Sequence, residues 1–150
     1  MIEPVVKEIT VAVTPETAFR VFTEDMGKWW PLASHSLSVA KGGIAKSVAM
    51  SVKLGGAITE TMSDGSLANW GKITHLIPNE EIAFSWQLSR PVGEQTLVTV
   101  TFEPSETGTK VRLVHTNWEN LGQDAATSRE QYLSGWDFVF GECYGGNLEK

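Results

Sequence analysis

The chain has 150 residues, 41% of them hydrophobic and 20% charged, proportions of a folded domain rather than a disordered segment. Asp and Glu outnumber Lys and Arg by 18 to 12, giving a net charge of −6, which argues against nucleic acid, whose binders cluster cations against phosphates. No run of 18 apolar residues occurs, so no membrane span is expected. Met1-Ile2-Glu3-Pro4 lacks the basic start and apolar stretch of a secretory signal, and the single cysteine, Cys143, has no intrachain partner. Both fit a reducing, cytoplasmic home.

Val5–Val13 reads as a first strand, with Ile9, Val11 and Val13 on one face. Thr14-Pro15-Glu16 carries the signals of a helix start: a hydroxyl cap, a proline in the first turn and an acid at the positive end. Ala18, Phe19 and Phe22 give that short helix its apolar side, and Gly27 is its expected stop, ahead of Trp29-Trp30-Pro31. Residues 32–46 read as irregular.

From Val48 the apolar residues alternate, the mark of half-buried strands. The sets are Val48, Met50, Val52 and Leu54; Ile58, Glu60 and Met62; residues 68–77, where Gly71 implies a bulge. Then come Ile82, Phe84 and Trp86 against Ala83, Ser85 and Gln87; Val98, Val100 and Phe102; and Val111, Leu113 and His115. Gly55-Gly56, Asp64-Gly65, Pro78-Asn79 and Glu106-Thr107-Gly108 supply the turns. From about Asp124 the spacing becomes helical, through Tyr132, Trp136, Val139 or Phe140, and Cys143, with Gly145-Gly146-Asn147 as the expected stop. Gly135 and Gly141 inside this helix each cost about 1 kcal/mol against Ala, which implies close packing on a sheet. A run of strands followed by a helix defines an α+β domain. A curved sheet around one helix leaves a hollow suited to an apolar ligand.

Taken in order, Trp29-Trp30-Pro31, Gly55-Gly56-x-Ile58-x-Glu60, Asp64-Gly65, Trp70-Gly71-x-Ile73 and Pro78-x-x-x-Ile82-x-Phe84-x-Trp86 form a family pattern. It continues through Thr96-x-Val98-x-Val100-x-Phe102, Gly108-Thr109-x-Val111-x-Leu113-x-His115 and Tyr132-x-x-Gly135-Trp136. Over roughly residues 5–144 the chain resembles a bacterial, single-domain member of the heat-shock-protein ATPase activator-like family. That family lies within the START-related helix-grip (SRPBCC) superfamily, which includes birch-pollen-allergen-like proteins. The resemblance implies one helix-grip domain over residues 1–150: a curved antiparallel sheet of about seven strands wrapped around a long C-terminal helix, a short helix pair after strand one, and a hydrophobic cavity between sheet and helix. It also implies a choice of functions, from lipid or steroid carriage to polyketide cyclisation and co-chaperone work. The separate N-terminal chaperone-binding domain of the eukaryotic activator is not expected, since 150 residues leave no room for it.

Residues 42–47, Gly-Gly-Ile-Ala-Lys-Ser, lack the Gly-Lys pairing of a phosphate loop. His35, His75 and His115 lack metal-ligand spacing, so no metal and no cofactor is expected. Glu60 and His115 share faces with apolar residues and point inward, where they would anchor a ligand or, if they met, handle a proton. Two adjacent tryptophans cannot both face inward on a regular element. One of Trp29-Trp30 is therefore expected at the cavity mouth and the other at the surface or in a partner contact. The candidate ligand contacts are Trp30, Glu60, Phe84, Trp86, Phe102, His115, Tyr132, Trp136 and Phe140. The leading expectation is a binder of a hydrophobic or amphipathic small molecule with no obligatory chemistry. The alternatives are a polyketide cyclase or aromatase-like enzyme using Glu60 and His115, and an interaction protein that modulates a chaperone. A weak homodimer or a chaperone contact stays open.

Overall fold

A computed structural model describes residues 2–86 and 92–148; Gln87, at the end of the fifth expected strand, lies outside them. Seven strands form one antiparallel sheet in the order β1-β7-β6-β5-β4-β3-β2. They are β1 (Val5–Val11), β2 (Ser47–Met50), β3 (Ala57–Thr61), β4 (Leu67–Ile77), β5 (Glu81–Trp86), β6 (Thr96–Ser105) and β7 (Gly108–Thr116). The period-two sets land as expected: Ile58 and Glu60, Ile82 and Phe84, Val98, Val100 and Phe102, and Val111, Leu113 and His115 are all buried. The second strand is shorter than its alternation suggested, because the chain leaves the ladder after Met50 and exposes Leu54. The expected bulge falls on β4. Ile58 pairs with Gly71 and Thr59 with Asn69, so Trp70 is an extra residue there. Gly71 is required: a Cβ on it would lie 1.7 Å from the Ser85 carbonyl oxygen.

Helix α1 (Pro15–Thr23) begins as its signals predict, with the Thr14 hydroxyl accepting from the Thr17 amide at 3.3 Å. It ends before Gly27, which instead lies inside a separate turn, α2 (Met26–Trp29). A Cβ at Gly27 would come within 2.7 Å of the Val48 carbonyl oxygen, so this glycine lets α2 approach β2. A further turn, α3 (Leu37–Ala40), interrupts the stretch read as irregular. Both Trp29 and Trp30 are buried. The backbone becomes extended at Trp30 (φ −64°, ψ 132°), so the two rings need not obey one element's facing rule.

The C-terminal helix α4 (Ala125–Trp136) continues through a π-helical stretch, Asp137–Tyr144, and a last α-helical turn, Gly145–Leu148. The glycine pair does not stop it: Gly145 is helical (φ −60°, ψ −44°). The i→i+5 winding adds about one residue per turn. The buried stripe therefore shifts from Cys143 to Tyr144, which is fully buried and donates its hydroxyl to the Ala18 carbonyl at 2.7 Å. Phe22 of α1 stands at the centre, 5.2 Å from Tyr144, 6.1 Å from Phe102 and 6.4 Å from Phe84 between ring centroids. With Phe140 also buried there, these rings fill much of the space where a hollow was expected.

Candidate functional site

A cavity of about 330 Å³ opens at one end of the grip, between α4 and the segment after α2. Its lining is Trp30, His35, Ser36 and Leu37 from that segment, Trp86 from β5, and Gln131, Tyr132, Gly135, Trp136 and Val139 from the C-terminal helix. Trp86 and Trp136 have ring centroids 5.9 Å apart, and Trp30 stands 5.8 Å from Trp86. The Trp86 indole donates to the Tyr132 hydroxyl at 2.9 Å, and the Trp30 indole to the His35 carbonyl at 2.6 Å. Among the described residues, no Asp, Glu, Lys or Arg lines the cavity. Burial holds His35 below its ordinary pKa, which favours its neutral form.

Four of the nine candidates therefore meet in one place: Trp30, Trp86, Tyr132 and Trp136. Phe84, Phe102 and Phe140 belong to the packed interior and are not among the lining residues. Glu60 and His115 face inward as parity predicts, but each is taken up by partners of its own, and they share none. The Glu60 carboxylate accepts from the Leu37 amide (2.8 Å), the Ser38 amide (2.9 Å), the Ser38 hydroxyl (2.6 Å) and the Trp70 indole (3.0 Å). Burial raises its pKa; these bonds, led by the Ser38 hydroxyl, outweigh burial and leave it below the ordinary carboxylate value. His115 accepts from the Trp136 indole at Nδ1 (3.0 Å), and its Nε2 lies 2.7 Å from the Thr96 hydroxyl. It packs against Trp118 and Tyr132, at 4.1 and 4.9 Å between centroids. Burial pushes its pKa down to about 3. Glu60 and His115, which would handle a proton only if they met, thus sit in two hydrogen-bond clusters that share no partner.

Sequence reasoning missed His35, Ser36 and Leu37, which reach the cavity by the course of an irregular segment that has no periodic signal. It missed Gln131, which is exposed and lies off the helix's buried line, and of the Val139 or Phe140 alternative it chose Phe140, whereas both are buried and Val139 lines the cavity. Gly135 did carry a signal, but the opposite of the one inferred. A Cβ there would meet nothing within 4 Å, so this glycine borders open space rather than a tight contact. His75 pairs with Glu81 at 2.8 Å near the surface. Burial and the neighbouring Glu142 raise the Cys143 pKa, which suits an unreactive thiol. Among the described residues no cluster of His, Cys, Asp or Glu is placed to hold a metal, and no helix is long and apolar enough to cross a membrane.

A seven-stranded antiparallel sheet closed around a C-terminal helix, with an aromatic cavity at one end, defines a helix-grip-like α+β domain. The chain belongs to the Activator of Hsp90 ATPase homolog 1-like protein family, whose profile matches residues 12–138. Among solved structures, a protein of Chromobacterium violaceum superposes with a TM-score of 0.70 at 18% identity, covering 99% of both chains. The Aha1 dimer of Colwellia psychrerythraea does so with a TM-score of 0.60 at 23% identity, covering 93% of this chain and 96% of that one. An anthrahydroquino-gamma-pyrone synthase, Txn09, gives a TM-score of 0.61 at 27% identity, covering 84% of each chain. No curated protein matches the sequence significantly.

Proposed function

We propose that this protein binds a small, uncharged aromatic molecule in the end cavity, its flat faces on the tryptophans and its polar edge at His35, Ser36 and Gln131. The observation that carries this reading is the lining itself: four aromatic side chains and, among the described residues, no carboxylate and no ammonium or guanidinium group. Pockets of this kind take affinity from apolar area and orientation from a few placed polar groups. A cavity of about 150 Å³ admits benzene, so this larger one suits two or three fused rings.

The test is quenching of tryptophan fluorescence by three probes of one size: 1-naphthol, naphthalene and 1-naphthoate. The expected order is 1-naphthol above naphthalene, with the anion excluded. Gly135→Leu, which fills the cavity from its open side, should weaken 1-naphthol by at least about tenfold, or 1.4 kcal/mol. Equal binding of all three probes, or an unaffected Gly135→Leu variant, would sink the reading. A second reading, a cyclase acting on the same cavity, is favoured by the 27% identity to Txn09. The two residues given to such an enzyme, Glu60 and His115, lend it no support, because their bonding atoms are engaged elsewhere. Mass spectrometry of whatever copurifies, before and after incubation, separates carrier from enzyme by the appearance of a dehydrated or cyclised product.

A further inference from the structure

Glu60 is wholly buried, and none of its four donors is a cation. Burying a carboxylate without a counter-ion is costly unless hydrogen bonds replace its water. Here two of the replacements are consecutive backbone amides, Leu37 and Ser38, at the end of the His35–Leu37 segment that walls the cavity. A third comes from Ser38 itself, whose hydroxyl also accepts from the Ser63 amide at 3.3 Å. The fourth is the indole of Trp70, whose ring lies 4.9 Å from Trp30 and 5.5 Å from Trp86, both lining residues. The carboxylate therefore ties the polar wall of the cavity to its tryptophan floor. At its other end the wall is held by the Trp30 indole on the His35 carbonyl.

We infer that Glu60 is a positioning residue for the cavity: a buried latch that holds residues 35–38 closed over a bound ligand without touching it. This rests on the binding reading above. Each of the four groups facing the carboxylate donates, and three of them, two amides and an indole, have no capacity to accept. Glutamine keeps the shape but turns an NH₂ toward at least one of these donors, so the latch must weaken on one side.

The test compares wild type with Glu60→Gln and Ser38→Ala by amide hydrogen exchange of the ligand-free protein and by 1-naphthol titration. In Glu60→Gln, exchange at Leu37 and Ser38 should rise by about tenfold or more, as one lost charge-assisted bond implies. Val100 and Leu113 in the central strands should keep their protection, and 1-naphthol affinity should fall by a similar factor. Ser38→Ala removes the hydroxyl's bond to Glu60 and the one it accepts from the Ser63 amide, but leaves both amide bonds to the carboxylate, so it should shift exchange and affinity in the same direction by less. It carries the test if Glu60→Gln fails to fold. Unchanged exchange at residues 37 and 38, a rise shared equally by Val100 and Leu113, or opened amides with undiminished 1-naphthol affinity would each overturn the latch. If wild type takes up no 1-naphthol, the cavity reading falls, and the exchange data alone decide whether Glu60 holds the wall.

Discussion

The indole N–H of Trp136 can only donate, so the Nδ1 it reaches on His115 must be unprotonated. The proton of a neutral ring then sits on Nε2 and is given to the Thr96 hydroxyl, which passes its own to the Trp86 carbonyl at 3.0 Å. One protonation state satisfies the chain from helix to sheet. Nitrogen-15 spectra of His115 are expected to show a single neutral form with Nε2 protonated at pH 7; a mixture of tautomers would contradict the assignment. Trp136→Phe removes the donor and leaves Nδ1 buried without a partner, a loss of about 1–3 kcal/mol in urea unfolding. Trp136→Ala, which also empties a large core site, should cost about 3–5 kcal/mol. The inward facing of Glu60 and His115 was legible from parity alone. Their roles were not, because Ser38 and Trp70 for one, and Thr96 and Trp136 for the other, are joined only by the tertiary fold.

Two glycines, Gly71 in a strand and Gly135 in a helix, have opposite meanings in their elements. At Gly71 the ladder between β4 and β5 is so close that a methyl group would collide with the Ser85 carbonyl, a backbone atom with little freedom to yield. Gly71→Ala should therefore destabilise the protein by about 1–3 kcal/mol, as overpacking does. Gly135 lies in α4 with open space beside it. Gly135→Ala should raise stability by about 1 kcal/mol, the helix-propensity difference, while narrowing the cavity and weakening 1-naphthol. Thermal melts of the two variants, read beside the titration, check both signs; a destabilised Gly135→Ala would mean the helix is strained there for another reason. The strands were readable because alternation survives any register. The π-helical stretch was not, since a wider turn changes which residues face inward without leaving a motif, and so Tyr144 took the place given to Cys143.

Across the whole molecule, the seven-stranded grip follows from antiparallel alternation and turn chemistry. The cavity does not, because its wall is an irregular segment folded back onto α4 and fixed by Glu60. The same buried polar groups make the fold's stability depend on pH. His115 has a folded pKa of about 3 against an ordinary 6.5. Between those values the unfolded chain binds a proton that the native state refuses, so stability falls as pH is lowered through this window. The slope from this one group is about 1.4 kcal/mol per pH unit once well below 6.5. Glu60 acts in the same direction at lower pH. Its folded pKa is depressed, so the stability that its ionised form contributes above the unfolded carboxylate value is lost as pH falls through the folded one. Urea midpoints at pH 7.5, 5.5 and 4.5 should therefore decline in wild type, with the first part of the decline belonging to His115. His115→Gln offers an acceptor to Trp136 and a donor to Thr96 but no group that titrates. It should be less stable at pH 7.5 because its shape is wrong, yet lose less between pH 7.5 and 4.5 than wild type does. Parallel declines in the two proteins would show that His115 is not held neutral in the core.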